Sequence, residues 1–214
     1  MKENYQKLME AEIQKIRILN KKPRLLLHAC CAPCSSAVLE VLRDYFEITI
    51  FFYNPNICPK EEFICRLQEL KRLLNEMNLE NIDIISPRYN GDEFEDIARG
   101  LENVQEGGQR CLKCYRLRLE KTAQYAQAHK YDYFTTTLTV SPYKNAEWLN
   151  CIGLELENTY LTKYLCSDFK KKDGHKRSCE LSKRYGLYRQ NYCGCIYSEK
   201  AAKEGMEGKP IEKR

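Results

Sequence analysis

Four short apolar runs, separated by stretches of helical periodicity, constrain this chain more than any other feature of its sequence. Arg24 to His28 (RLLLH), Glu47 to Tyr53 (EITIFFY), Ile82 to Ile85 and Tyr133 to Thr136 read as strands. Ahead of them, Tyr5 to Leu19 sets Leu8, Met9, Ile13, Ile16 and Leu19 at helical spacing, and Lys21, Lys22 and Pro23 stop that helix. Further helices are predicted over Ser35 to Asp44, Lys60 to Met77, from about Glu93, and from Cys114 to about His129 after a Gly107-Gly108 break. Ala146 to Leu156 and a basic segment around Lys176 to Tyr185 complete the set. Strands alternating with helices need crossover connections, so the strands run parallel and are buried on both faces. The expected fold is α/β: a three-layer Rossmann-like parallel sheet with helices on both faces and a helical, basic C-terminal region. Such sheets bind ligands beyond the carboxyl ends of their strands. The first cysteine group, in HACCAPC, follows the first strand at once.

With 214 residues, 43% of them hydrophobic, the chain can bury one sizeable core and is too short for two full domains. We expect a single catalytic α/β domain over 1–198, with 163–198 as a basic, cysteine-containing segment packed on it, and a polar tail over 199–214. No window approaches the roughly 18 apolar residues a membrane helix requires, and the first residues are charged rather than signal-like. A soluble, cytoplasmic protein with no membrane partner is expected. The net charge of +5 is modest, but its distribution is uneven. Nine Lys or Arg face three Asp or Glu from Lys163 to Arg189, whereas Asp92 to Glu106 is mostly acidic.

Seven of the 12 cysteines fall into three groups: Cys30, Cys31 and Cys34; Cys111 and Cys114; Cys193 and Cys195. The other five, Cys58, Cys65, Cys151, Cys166 and Cys179, stand alone and read as small hydrophobes or incidental thiols. Thiolates are soft anionic ligands suited to iron-sulfur clusters or zinc, and a short spacing lets one turn supply two of them. Zinc ribbons take their pairs from neighbouring turns. Here the first two groups are about 80 residues apart, so they converge only through the global fold, which favours iron-sulfur over zinc. A thioredoxin-like dithiol oxidoreductase is the competing reading of Cys31-Ala32-Pro33-Cys34, where helix N-terminal amides would lower a thiol pKa. It leaves Cys30 and the distant Cys111/Cys114 pair without a role. Cys193-Gly194-Cys195 reads either as a small strained disulfide or, with Cys34, as ligands of a second metal, and the sequence leaves both open.

At these residues the chain resembles the cobalamin-independent epoxyqueuosine reductase family, QueH. The resemblance runs from LLLHACCAPC (25 to 34) through FFYNPNICPKEEF (51 to 63), RCLKCYRLRLEKTA (110 to 123), FTTTLTVSPYKN (134 to 145) and SDFKKKDGHKRS (167 to 178) to YGLYRQNYCGC (185 to 195). It implies reductive deoxygenation of the epoxide of epoxyqueuosine in tRNA to queuosine, the last step of that base's biosynthesis, with an electron donor of unspecified identity. It also implies a 4Fe-4S cluster on Cys30, Cys31, Cys111 and Cys114. Cys193 and Cys195 would be a redox-active disulfide or, with Cys34, ligands of a second, mononuclear iron. Cys34 is the departure, since some members of the family carry Asp there, which can ligate iron but cannot act as a redox thiol.

Protonation of the leaving oxygen needs a general acid, for which Asp168, Tyr192 and Lys144 are candidates by their place in family-like blocks. For Asp168 a capping or loop role is the plain alternative. Asn54 and Asn56, flanking Pro55 at a strand end, would orient substrate or satisfy a turn. Lys144, Lys170, Lys176, Arg177, Tyr188 and Arg189 are the candidates for tRNA contact, through phosphates and base stacking. Two further classes compete. A tRNA-sulfurating nucleotide-binding enzyme would carry an SGGxDS loop where this chain has HACCAPCS, which lacks the glycines for close approach to pyrophosphate. A zinc-stabilised RNA-binding module would need no catalysis at all.

Overall fold

The computed structural model describes residues 3–19 and 21–207. Strands β1 (Arg24–His28), β2 (Glu47–Phe51), β3 (Ile84–Ile85), β4 (Tyr133–Thr136) and β5 (Lys163–Tyr164) form one sheet in the order β3-β2-β1-β4-β5. Every pairing is parallel, with Leu26 opposite Thr49 on one side and Phe134 on the other. Helices α1 (Tyr5–Leu19), α2 (Ala32–Leu42), α3 (Lys60–Glu76), α4 (Asp92–Ala98), α5 (Gln109–Ala128), α6 (Ala146–Tyr160), α7 (Gly174–Arg184) and α8 (Ile196–Glu207) make up the rest, with a 3-10 turn over Thr137–Val140.

The three layers follow from the apolar run of β1. Leu25 and Leu27 join Ile48 and Ile50 against Met9 and Ile13 of α1, Val38 and Leu42 of α2, and Leu70 and Leu73 of α3. Leu26, between them and pointing the other way, joins Phe51 and Phe134 against α5 (Leu119, Ala123) and α6 (Leu149, Ile152). All three leucines are fully buried. Each contributes about 1.5–3 kcal/mol of apolar burial, which is why a strand buried on both faces reads as an unbroken hydrophobic run.

Several boundaries differ from the sequence expectation. Helix α2 begins at Ala32, ahead of the predicted Ser35, because Cys31 caps it through its sulfur and Pro33 suits a first turn. Helix α5 begins at Gln109, directly after Gly107 (φ +89) and Gly108, so Cys111 and Cys114 lie on its first turns and not in a loop before it. The two-residue β5 is too short for periodicity to reveal. Helix α8 runs through part of the stretch read as a polar tail, of which 208–214 lies outside the described residues.

The chain passes from β1 outward to β2 and β3, then returns to place β4 on the other side of β1. Beyond the carboxyl ends of β1, β2 and β4 this reversal opens a crevice, and the cysteine-rich turn after His28 lies in it. The basic segment closes over it from the C-terminal side, where Ser178 of α7 donates to the Pro33 carbonyl at 2.6 Å.

Candidate metal centre

A buried polar network fixes the turn that carries the first cysteines. His28 Nδ1 lies 2.8 Å from Thr136 Oγ1 and its Nε2 lies 3.2 Å from the Tyr53 carbonyl, tying together the ends of β1, β4 and β2. Asn54 Nδ2 donates to the Ala29 carbonyl at 2.8 Å, and Asn54 Oδ1 accepts from Arg118 Nη1 at 3.2 Å. Asn54 thus satisfies the turn, whereas both amide atoms of buried Asn56 are without a protein partner.

On this base the sulfurs of Cys30, Cys31 and Cys34 all lie within 4.8 Å of one another. Cys30 Sγ is 3.9 Å from Cys31 Sγ, which accepts from the Cys34 amide at 3.5 Å. Hydrogen bonds from Cys31 and then Cys34 draw the Cys30 thiol well below its ordinary pKa despite full burial, with Arg118 adding to the effect. Cys30 in turn holds the Cys31 and Cys34 thiols up, and burial adds to the effect.

Cys111, Cys114, Cys193 and Cys195 do not join that trio but line an adjoining narrow pocket, together with Asn56, Arg110 and Arg118. Spacing of three on α5 turns Cys111 and Cys114 to one side. The Gly107 amide donates to Cys111 Sγ at 3.3 Å, and burial pushes the Cys114 thiol up to about 12. Gly194, at φ +115, turns the chain between Cys193 and Cys195, and its carbonyl accepts from the Cys58 amide at 2.9 Å. All 12 cysteines are free thiols.

A larger cavity of about 820 Å³ opens above the trio, lined by Cys30, Cys31, Cys34, Arg66, Arg118, Lys144, Tyr192 and Cys193 among others. Arg118, Glu106 and Cys193 border both spaces, so the two cysteine sets face a common interior. That interior is cationic. Arg66 is bonded by its Nε to Glu62 at 2.7 Å and by Nη1 to the Cys193 carbonyl at 3.1 Å, and Lys144 pairs with Glu106 at 3.0 Å. Burial works against the Lys144 ammonium, but the Cys193 sulfur, Tyr115 and Glu106 outweigh it and raise its pKa. Arg118 Nε and Nη2 are buried without any acceptor. Soft sulfur donors from separate elements, beside cationic groups with unused N–H bonds, fit an anionic thiolate-bound metal group.

Of the three candidate acids, Lys144 and Tyr192 line the large cavity. Asp168 lies outside both spaces, ion-paired with Lys170 at 2.8 Å. The candidate tRNA contacts are spread out. Lys144 is buried within the site, Arg189 lies at the large cavity, and Lys176 is exposed on α7. The remaining three already have acidic partners: Arg177 with Glu40 and Glu180, Tyr188 with Glu62, and Lys170 with Asp168. The sequence reading missed Arg118, Arg66 and Glu106. Arg118 stands four residues after Cys114 and seven after Cys111, which marks the same helix face once α5 is started at Gln109.

A parallel α/β sheet with a cysteine group that could bind a metal at its carboxyl edge defines an α/β protein of the thiolate metal-site class. The family model described as "Epoxyqueuosine reductase QueH" matches residues 25–201. Relatives bearing that name include one from Staphylococcus epidermidis, 41% identical over 98% of this chain and 90% of its own length. Another from Streptococcus pyogenes is 41% identical over 92% and 78%, and one from Thermotoga maritima is 35% identical over 81% and 89%. The chain belongs to the epoxyqueuosine reductase QueH family, a family of oxidoreductases. Among solved structures, an NMN synthetase from Francisella tularensis aligns over 99% of this chain and 89% of its own, with a TM-score of 0.47 at 12% identity, too slight a likeness to bear on function.

Proposed function

We propose that this chain reductively deoxygenates the epoxide of epoxyqueuosine in tRNA, leaving the alkene of queuosine and releasing the oxygen as water. Two electrons and two protons balance the step, and the electrons come from a separate donor in the cytoplasm. The observation that carries this reading is the 820 Å³ cavity whose lining includes Cys30, Cys31, Cys34 and Cys193, within a chain of the QueH family. That volume suits a splayed nucleoside, which a tRNA can present and a packed helix cannot.

Cys30, Cys31, Cys111 and Cys114 would hold a 4Fe-4S cluster, which when bound supplies single electrons. Cys193 and Cys195 would serve as a redox pair or, with Cys34, as ligands of a second iron. Lys144, Arg66 and Arg118 supply positive charge to the interior, and the His28, Asn54 and Thr136 network holds the cysteine turn in place. Arg189 and exposed Lys176 are the candidates for phosphate contact. Asp168 keeps its proposed proton-donor role only if substrate binding frees it from Lys170.

The test is anaerobic purification, measurement of iron and sulfide per chain, and incubation of the loaded protein with a reductant and tRNA carrying epoxyqueuosine. About four irons with sulfide and the appearance of queuosine without cobalamin are expected. A fully loaded protein that yields no queuosine would sink the proposal.

A further inference from the structure

The cations around the cysteines are not equivalent. Arg66 is offset by Glu62 at 2.7 Å, Lys144 by Glu106 at 3.0 Å, and Arg110 Nη1 donates to the carbonyls of Leu101, Glu102 and Val104. Arg118 is different. It is 1% exposed, among the largest fully buried side chains described, and its guanidinium donates through Nη1 to the neutral amide oxygen of Asn54. Its Nε and Nη2 have no acceptor, and no carboxylate pairs with it among the described residues. A guanidinium stays charged at any accessible pH, and burying such a charge without an anion costs several kcal/mol, of the order of 3–5 when a partner is removed. A fold that keeps Arg118 there must return that cost elsewhere.

The surroundings indicate what does so. Arg118 borders both the pocket with Cys111, Cys114, Cys193 and Cys195 and the cavity with Cys30, Cys31 and Cys34. It is the one arginine that lines both spaces. Asn54, which anchors the turn leading to Cys30, also holds Arg118 Nη1, so the guanidinium and the first cysteine turn move as one unit. From α5 it projects on the side that carries Cys111 and Cys114.

We propose that Arg118 is the fixed countercharge of the iron-sulfur centre and sets its reduction potential, a reading that rests on the cluster assignment made above. Four thiolates around a cluster leave a net negative group, and each added electron makes it more negative. A buried cation with free N–H bonds therefore favours the reduced form more than the oxidised one. Net charge and hydrogen bonds to the sulfurs are the levers by which proteins move such potentials. In this chain that lever is one residue. Asn54 acts behind it as a positioning residue, holding the guanidinium through a neutral oxygen that does not quench its charge.

The experiment compares wild type, Arg118→Gln and Arg118→Lys, purified and reconstituted anaerobically, with folding checked by circular dichroism. Iron and sulfide per chain are measured first, then the midpoint potential by a redox titration followed by electron paramagnetic resonance. Arg118→Lys keeps the charge and should keep the midpoint. Arg118→Gln should lower the ratio of reduced to oxidised cluster at a given potential by about tenfold or more, a shift of about 59 mV for one electron. Loss of iron from Arg118→Gln alone, with Arg118→Lys loaded and unchanged, supports the proposal equally. An unchanged midpoint in Arg118→Gln overturns it, as does loss of iron from both variants, which would assign the residue to packing. Wild type without iron defeats the cluster assignment itself, and is recognised before any variant is compared.

Discussion

Replacing Gly194 with alanine should destabilise the Cys193-Gly194-Cys195 turn by more than backbone strain alone. The residue has φ +115, and a Cβ there would lie 2.9 Å from Arg66 Nη1, 3.2 Å from its Cζ and 3.1 Å from Ile57 Cγ1. A surface arginine would swing aside. Arg66 is 2% exposed and held at both ends, by Glu62 at 2.7 Å and by the Cys193 carbonyl at 3.1 Å, while Ile57 is fully buried. Backbone strain contributes about 1–3 kcal/mol. Weakening the charged hydrogen bond from Arg66 adds about 1.5–3 kcal/mol, for a total of about 2.5–6 kcal/mol. Gly186→Ala is the internal control, because its φ of +55 is strained for alanine but nothing lies within 4 Å of the added carbon. It should cost only about 1–2 kcal/mol. Denaturant unfolding of metal-free, fully reduced protein, followed by circular dichroism, separates the two without thiol chemistry. Gly194→Ala should lose about 1.5–3 kcal/mol more than Gly186→Ala, the part that the Arg66 contact contributes. Equal losses would refute the reasoning, since Arg66 and Ile57 would then not be what confines the turn.

Two further perturbations reach other parts of the frame. Asn150 of α6 is fully buried, accepting from the Ser167 amide at 2.9 Å and donating to the Ser167 carbonyl at 2.8 Å. Asn150→Ala leaves both backbone groups unpaired, and chemical denaturation should register a loss of about 2–4 kcal/mol. Glu12 joins α1 to the sheet edge, accepting from Tyr133, Lys163 and Lys15; burial raises its pKa, but these bonds outweigh it and hold the carboxyl at about 2. A lowered folded-state pKa means stability that is complete above about 4.5 and is lost as the pH falls towards 2. The ceiling for that shift is about 3.4 kcal/mol, which solvent screening at the rim reduces to about 1 kcal/mol. Between pH 5 and 2.5 the melting temperature of wild type should therefore fall more than that of Glu12→Gln; parallel curves would remove Glu12 from acid unfolding.

The layers of the fold were legible because β1 writes its two-sided burial directly into RLLLH, and because α1 and α3 carry clean helical stripes. Helix α5 was misread at its start for an instructive reason. A C-x-x-C spacing is what a flexible turn uses to present two thiols, but it is also one helical turn, and the glycine pair that fixes the choice lies before Gln109. Starting the helix late hid the relation of Arg118 to Cys111, seven residues before it on the same face. Arg66 and Glu106 were not legible at all. Arg66 is turned inward only by the packing of α3, and Glu106, on the loop before α5, reaches the rim of both spaces while staying exposed.

The same geometry explains why the thiols must come from far apart in the chain. Cys30, Cys31 and Cys34 sit at the end of β1, where the Cys31 sulfur accepts the Cys34 amide and contacts from Cys31 and Cys34 lower the Cys30 pKa. Adding more thiols from the same turn would crowd further negative charge onto a helix N-terminus able to stabilise little more than half a charge. In the proposed centre, drawing Cys111 and Cys114 from α5, with Arg118 on the same helix, would bring further ligands and a compensating cation together in one step. A metal held between these elements is then bound by the folded chain alone, so its binding energy adds directly to the stability of the whole domain. The buried guanidinium, with Nε and Nη2 unpartnered, is unfavourable without an anion, so loading of the proposed centre would also stabilise the fold around Arg118.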